Sequence, residues 1–195
     1  MSSIIIKDGS GRGYTAKVDS SNRLHTQTVS IDEQSWQSEE GHGYNISTGI
    51  INLTSASESA VLWFKYTGVT YFNVSALAVG IGKLGVSTDP VLIKVSRNPS
   101  TGTLIDNAVT SGIFNENRNF GATSSVPATI YKGAEGYTLN GDTVGIFYQT
   151  QSGRLFAPVN LILEPQTSIG ITITPNDDGT GGNVYAALIG YEGTE

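Results

Sequence analysis

Ser168-Ile169-Gly170-Ile171-Thr172-Ile173-Thr174-Pro175 decides the fold. Its isoleucines recur at every second position, so an extended chain places them on one face and Gly170, Thr172 and Thr174 on the other. A helix would scatter them around its circumference. The stretch therefore predicts a half-buried strand that stops at Pro175. Val91-Leu92-Ile93-Lys94-Val95-Ser96-Arg97 alternates similarly and is expected to end before Asn98-Pro99. Two other runs, Val61-Leu62-Trp63-Phe64 and Val184-Tyr185-Ala186-Ala187-Leu188-Ile189, are apolar on both sides. They predict strands covered on both faces or lying at a subunit contact.

Further strands are expected at residues 50–53, 71–79, 130–132, 144–148 and 159–163. Turn signals separate them: Asn98-Pro99-Ser100-Thr101-Gly102, Asn140-Gly141, Gln151-Ser152-Gly153, and Asn176-Asp177-Asp178-Gly179-Thr180-Gly181-Gly182. Thr, Ile and Val together number 53 and Gly 24, a composition that favours strands joined by tight turns over helices. About eight to ten short strands at this spacing predict an all-β fold, a two-sheet β-sandwich with the jelly roll as its expected form. One helix is expected, over residues 31–40, where Ser30 and Glu33 have capping-box spacing.

The first thirty residues read differently. They hold four of the eleven Lys and Arg against two acids, while residues 31–195 hold seven bases against fifteen acids. The chain is thus expected to comprise an N-terminal arm or hairpin, residues 1–30, and a sandwich body, residues 31–195. Within the leader, Ala16-Lys17-Val18 and Arg23-Leu24-His25-Thr26 flank the turn-like Asp19-Ser20-Ser21-Asn22. An isolated hairpin is barely stable in water, so this one must lie on its own body, a sister subunit or another protein. The candidate contact residues are Lys7, Arg12, Tyr14, Lys17, Arg23 and Leu24.

Composition excludes several function classes. A net charge of −6 disfavours nucleic-acid wrapping, because an acidic surface repels phosphates. No cysteine is present, which removes disulfides and thiolate metal sites, and two histidines separated by sixteen residues make a poor zinc site. No window approaches the ~18 apolar residues of a membrane helix. Met1-Ser2-Ser3-Ile4-Ile5-Ile6 is far short of a signal-peptide apolar region, so use without Sec export is expected. The sequons at Asn45, Asn52 and Asn73 then read as chance products of an Asn/Ser/Thr-rich chain.

Motifs with chemical meaning each have a plainer reading. Gly80-Ile81-Gly82-Lys83-Leu84-Gly85 has dinucleotide-loop spelling, but Asp89-Pro90 and a β-branched run leave no room for the helix such a loop must open. The Asn176–Asn183 stretch lacks the alternating acids and distal Glu of a calcium loop. Neither histidine lies near a Gly-X-Ser-X-Gly elbow. The carboxylates Glu39 and Glu40 sit beside Gly41-His42-Gly43, a linker unsuited to the rigid placement glycosidases need. Neither cofactor nor metal is expected. Trp36, Tyr44, Trp63, Tyr66, Tyr71 and Tyr137 could stack on a sugar, although most fall in strand-like runs where core packing is the default.

The leader Asp8-Gly9-Ser10-Gly11-Arg12-Gly13-Tyr14-Thr15-Ala16-Lys17-Val18-Asp19-Ser20-Ser21-Asn22-Arg23-Leu24-His25 resembles the DGxGxGxxAKVDxxNRLH opening of a group of tailed-bacteriophage structural proteins. The resemblance continues through Tyr44–Gly49, Glu58–Lys65, Arg97–Thr103, Asn117–Gly121 and Tyr131–Gly136 to Ala186–Tyr191. It implies a non-enzymatic virion component, a capsid decoration protein attached by its N-terminal arm and subunit interfaces. The partners it implies are other virion proteins, the major capsid protein foremost, and further copies of the chain, with a trimer favoured and neither nucleic acid nor membrane. The alternative is a tail or head-fibre component whose sandwich binds carbohydrate.

Overall fold

The computed structural model describes residues 17–18, 24–25, 33–54, 57–82, 90–149, 153–175 and 182–193. The chain divides into two units, residues 1–32 and 33–195. In the first, β1 (Lys17–Val18) and β2 (Leu24–His25) pair antiparallel, Lys17 opposite His25 and Val18 opposite Leu24. The expected turn at residues 19–22 lies outside the described residues.

The second unit opens with α1 (Glu33–Glu39), shorter than the predicted helix; the expected cap Ser30 lies outside the described residues. There follow β3 (Gly43–Ser47), β4 (Ile51–Leu53), β5 (Ser59–Tyr66), β6 (Phe72–Ile81) and β7 (Val91–Thr101). Next come the short helix α2 (Thr103–Asp106), β8 (Phe114–Asn117), β9 (Ala128–Lys132) and β10 (Asn140–Gln149). The last three are β11 (Gly153–Leu163), β12 (Ser168–Thr174) and β13 (Gly182–Glu192).

These strands form two antiparallel sheets, one ordered β11-β6-β13-β3-β8 with β4 also on β13, the other β10-β7-β12-β5-β9. Set β4, β8 and β9 aside and number the remaining eight strands along the chain. The first sheet then runs six-three-eight-one and the second five-four-seven-two. That order is the jelly roll, in which successive strands cross from sheet to sheet. The expected fold is therefore present.

Ile169, Ile171 and Ile173 of β12 all enter the core between the sheets, as their spacing requires. There they join Leu62, Phe64 and Tyr66 of β5 and Phe72, Val74 and Leu77 of β6. Strand β5 is covered on both faces. A bulge opposite Ile171/Thr172 turns Ala60 outward, and Ala60 and Trp63 form a second cluster with Leu104 of α2, flanked by Tyr131 and Tyr137. The Trp63 ring stacks on Tyr131 at 4.9 Å and its indole N–H donates to the Pro99 carbonyl at 2.9 Å. Strand β13 buries Val184, Ala186 and Leu188 fully, while Tyr185, Ala187 and Ile189 remain half-buried on the other face.

Two turn expectations are corrected. Strand β7 does not stop before Asn98-Pro99 but continues to Thr101. Its pairing with β12 ends at Arg97, so Pro99, which lacks an N–H, falls where that ladder no longer needs a donor. Asn98 adopts φ 47° and its side-chain oxygen accepts from the Ser168 N–H at 2.9 Å. Asn140-Gly141 is likewise no turn; it begins β10 at a register break. A side chain at Gly141 would meet the Arg97 carbonyl at 2.9 Å, so glycine serves close backbone approach there.

Candidate assembly surface

Of the six leader residues singled out from sequence, Lys7, Arg12, Tyr14 and Arg23 lie outside the described residues. Lys17 and Leu24 lie on the paired strands β1 and β2. The structure thus brings two of the six into one antiparallel strand pair.

In the body, the two sides of the sandwich are finished differently. On one side the edge strands are β8 and β9, and the segment joining them crosses from sheet to sheet. Val126 of that segment enters the core, and its N–H and C=O both bond the Asn115 side chain, at 3.2 and 3.1 Å. Asn117 adds bonds to Ser124 and Gly41, and Val109 bridges Lys132 of β9. Backbone groups that an edge would otherwise present are thereby paired locally.

On the other side the edges are β10 and β11. Residues 143–163 contain a single charged side chain, Arg154. Val144, Ile146 and Tyr148 of β10 are 50%, 53% and 66% exposed, and Phe156 and Ile162 of β11 are 54% and 59% exposed. Phe147, Leu155, Val159 and Leu161 reach the core but are only half-buried, because no further strand covers them. A largely apolar cleft of about 480 Å³ opens beside this seam, lined by Val144, Leu161, Ile162 and Leu163 together with Arg97 and Ser168. Bulges interrupt both strands, at Thr143/Gly145 and at Pro158/Leu161, and Pro158 removes one donor. Those features oppose strand addition along the full edge and leave side-chain packing as the available contact.

Sequence reasoning placed strands here but missed that their apolar residues face water. The scarcity of charge across residues 143–163 was the readable signal.

Several ionisable groups of the body are engaged structurally. Lys94 Nζ lies 2.6 Å from Glu58 Oε2, and the Thr172 hydroxyl donates to Glu58 Oε1 at 2.8 Å. Burial raises the Glu58 pKa, but the bonds from Lys94 and Thr172 outweigh it and hold the carboxyl below its ordinary range. Glu192 accepts from the hydroxyls of Tyr66 and Tyr44. Among the described residues no three His, Cys, Asp or Glu side chains gather as a metal site would need, and no helix is long and apolar enough to cross a membrane. Gly80 and Ile81 of the dinucleotide-like spelling lie inside β6, where the Tyr185 ring covers Gly80. Residues 83–89 of that stretch, and 176–181 of the calcium-like one, lie outside the described residues.

The six aromatics that could form a sugar platform share no exposed face. Tyr44, Trp63 and Tyr66 are buried, Tyr71 and Tyr137 half-buried, and Trp36 alone among the six is exposed.

Fold and surface together define a jelly-roll β-sandwich with one closed side and one apolar, open side. No protein-family model and no curated protein matches the chain. Among solved structures, a chain of the T13 IBDV viral particle matches 77% of this chain with 10% sequence identity and a TM-score of 0.29. The matched region spans 31% of that viral chain. A score of that size supports no argument about function.

Proposed function

We propose that this chain is a non-enzymatic structural protein of tailed-bacteriophage virions, a capsid decoration protein held by its N-terminal arm and by subunit interfaces. The observation that carries the reading is the open β10–β11 side, where a jelly roll closed elsewhere by its own segments leaves apolar side chains of both edge strands in water. Such a surface fits a protein that functions in an assembly. The leader supports the same role: its residues resemble the opening of phage structural proteins, and its basic balance suits an acidic partner surface. A protein that binds the assembled shell and not its dissociated subunits stabilises the shell by mass action. A trimer would match the three-fold positions of a capsid lattice.

The test compares full-length protein with a form lacking residues 1–28 on phage particles stripped of it. Full-length protein is expected to restore occupancy and shell stability. The truncated form should keep its β-sheet circular dichroism and fail to attach. Normal occupancy by the truncated form would refute the arm, and no occupancy by the full chain would refute the virion role.

A further inference from the structure

We propose that the cleft between β5, α2 and the Glu164–Thr167 turn binds an acidic saccharide, with Lys65 taking its carboxylate and Gln166 and Ser100 its hydroxyls. The inference goes beyond the assembly role proposed above and does not depend on it.

The cleft encloses about 380 Å³ on the outer face of the second sheet. That size lies near the lower end for small-molecule sites and suits one or two sugar rings. Trp63 and Lys65 stand two residues apart on β5, so alternation brings both to this face. Ile105 of α2 packs against the Trp63 cluster, and Pro99 adds a second apolar wall. Trp63 is only 7% exposed and its N–H is held by Pro99, so it offers an apolar edge and no stacking platform. Recognition here falls to charge and hydrogen bonds.

Charge sets the sign of the ligand. The body carries fifteen acids against seven bases, yet this cleft is lined by one base and no acid. Glu164, at the start of the turn, lines the neighbouring apolar cleft instead, and Asp106 follows Ile105 at the exposed end of α2. Lys65 is half-buried and forms no ion pair among the described residues. One such ammonium balances one carboxylate.

Backbone strain marks the hydrogen-bonding residue. Among the described residues Asn98 and Gln166 are the two non-glycines with positive φ, at 47° and 67°, and both line this cleft. The bond from the Ser168 N–H accounts for Asn98. Gln166 follows Pro165 in the Glu164–Thr167 turn, where glycine is the unstrained choice. Its side chain is exposed and makes no hydrogen bond among the described residues. Strain held without an internal partner is a mark of ligand-holding positions. The Gln166 amide, with the Ser100 and Thr167 hydroxyls, offers the mixed donors and acceptors a polyol needs. An acidic peptide fits less well. β5, β7 and β12 are all internal strands, and the Pro99 carbonyl is already taken by Trp63 and Ser168, so no free edge awaits a peptide backbone.

Titration of the full-length chain with methyl glucuronide tests the proposal, followed by Trp63 emission in a Trp36→Phe background. The glucuronide should bind saturably. Methyl glucoside, the same ring without the carboxylate, should bind at least ~10-fold more weakly, the usual worth of one hydrogen bond to a charged group. Lys65→Gln should remove that preference and Lys65→Arg keep it. Gln166→Gly should weaken glucuronide binding several-fold while raising the melting temperature by ~2–4 °C, the shift expected on relieving one strained residue in a chain of this length.

No saturable glucuronide binding, equal affinity for the glucoside, or a Lys65→Gln chain that keeps the wild-type preference would overturn the proposal. N-acetylglutamate bound as tightly as the glucuronide would refute the saccharide in favour of a peptide carboxylate. A Gln166→Gly chain that gains stability and loses no affinity would refute the role given to Gln166. Should Lys65→Gln misfold, the glucuronide–glucoside comparison on the wild-type residue still decides.

Discussion

The Tyr66 hydroxyl donates to Glu192 Oε1 across 2.8 Å, joining β5 of one sheet to the end of β13 in the other. Tyr44, on β3, donates to the second carboxylate oxygen at 3.2 Å. Two tyrosines and one acid thus pin the sandwich at a point where its chain-distant strands converge. Burial, offset in part by a bond with Thr70 and reinforced by Glu192, pushes the Tyr66 pKa up to about 12.

That shift predicts a loss of stability in alkali. The folded state holds the Tyr66 proton more tightly than the unfolded chain, whose tyrosines titrate near ~10. The contribution is therefore fully present below that value and is lost as pH rises towards about 12. Urea unfolding across this range should show a steeper decline for wild type than for Tyr66→Phe. At neutral pH the substitution should destabilise by about 1–3 kcal/mol, the usual worth of a hydrogen bond to a charged acceptor.

Glu58 predicts the opposite pH dependence. Its folded pKa lies below the ordinary carboxyl value, so its contribution is present above that value and is lost as pH falls through the depressed one. The pair is partly exposed, with 29% and 42% of the Lys94 and Glu58 side chains accessible, so Glu58→Gln should cost less than about 1 kcal/mol at neutral pH. Wild-type and Glu58→Gln unfolding curves should converge in acid. A gap that persisted below the carboxylate range would contradict the assignment.

Two glycines separate crowding from backbone strain. A side chain at Gly133 would lie 1.7 Å from the Ala60 carbonyl oxygen, where β5 and the chain after β9 touch. Gly136 has φ +73° but nothing within 4 Å of a side chain placed there. Gly136→Ala should therefore cost only about 1 kcal/mol, the left-handed penalty. Gly133→Ala must move backbone and should cost several-fold more, measured by thermal or chemical unfolding.

The parts of the fold legible in the sequence were those with a local period. Ile169, Ile171 and Ile173 announced β12 because side-chain alternation is a property of the strand itself. The doubly apolar run at residues 61–64 announced a strand covered on both faces, and α2 with Tyr131 supplies the second cover. Asn98-Pro99 and Asn140-Gly141 misled because turn chemistry was read without neighbours. Pro99 is tolerated where the β12 ladder has already ended, and Gly141 is required by the backbone of β7. The open β10–β11 side left no trace in the alternation for the same reason, since Ile146 and Phe147 follow one another just as in a strand inside a finished sheet; only the scarcity of charge across residues 143–163 marked it.

The jelly-roll order makes the final strand a keystone. β13 lies between β6 and β3 and also holds β4, so the first sheet has a gap at its centre until residues 182–192 arrive. A ribosome delivers that segment after every other strand of the sandwich. The body therefore closes only after residues 182–192 have left the exit tunnel, and a premature stop before Gly182 yields two half-sheets with exposed cores instead of a shorter sandwich.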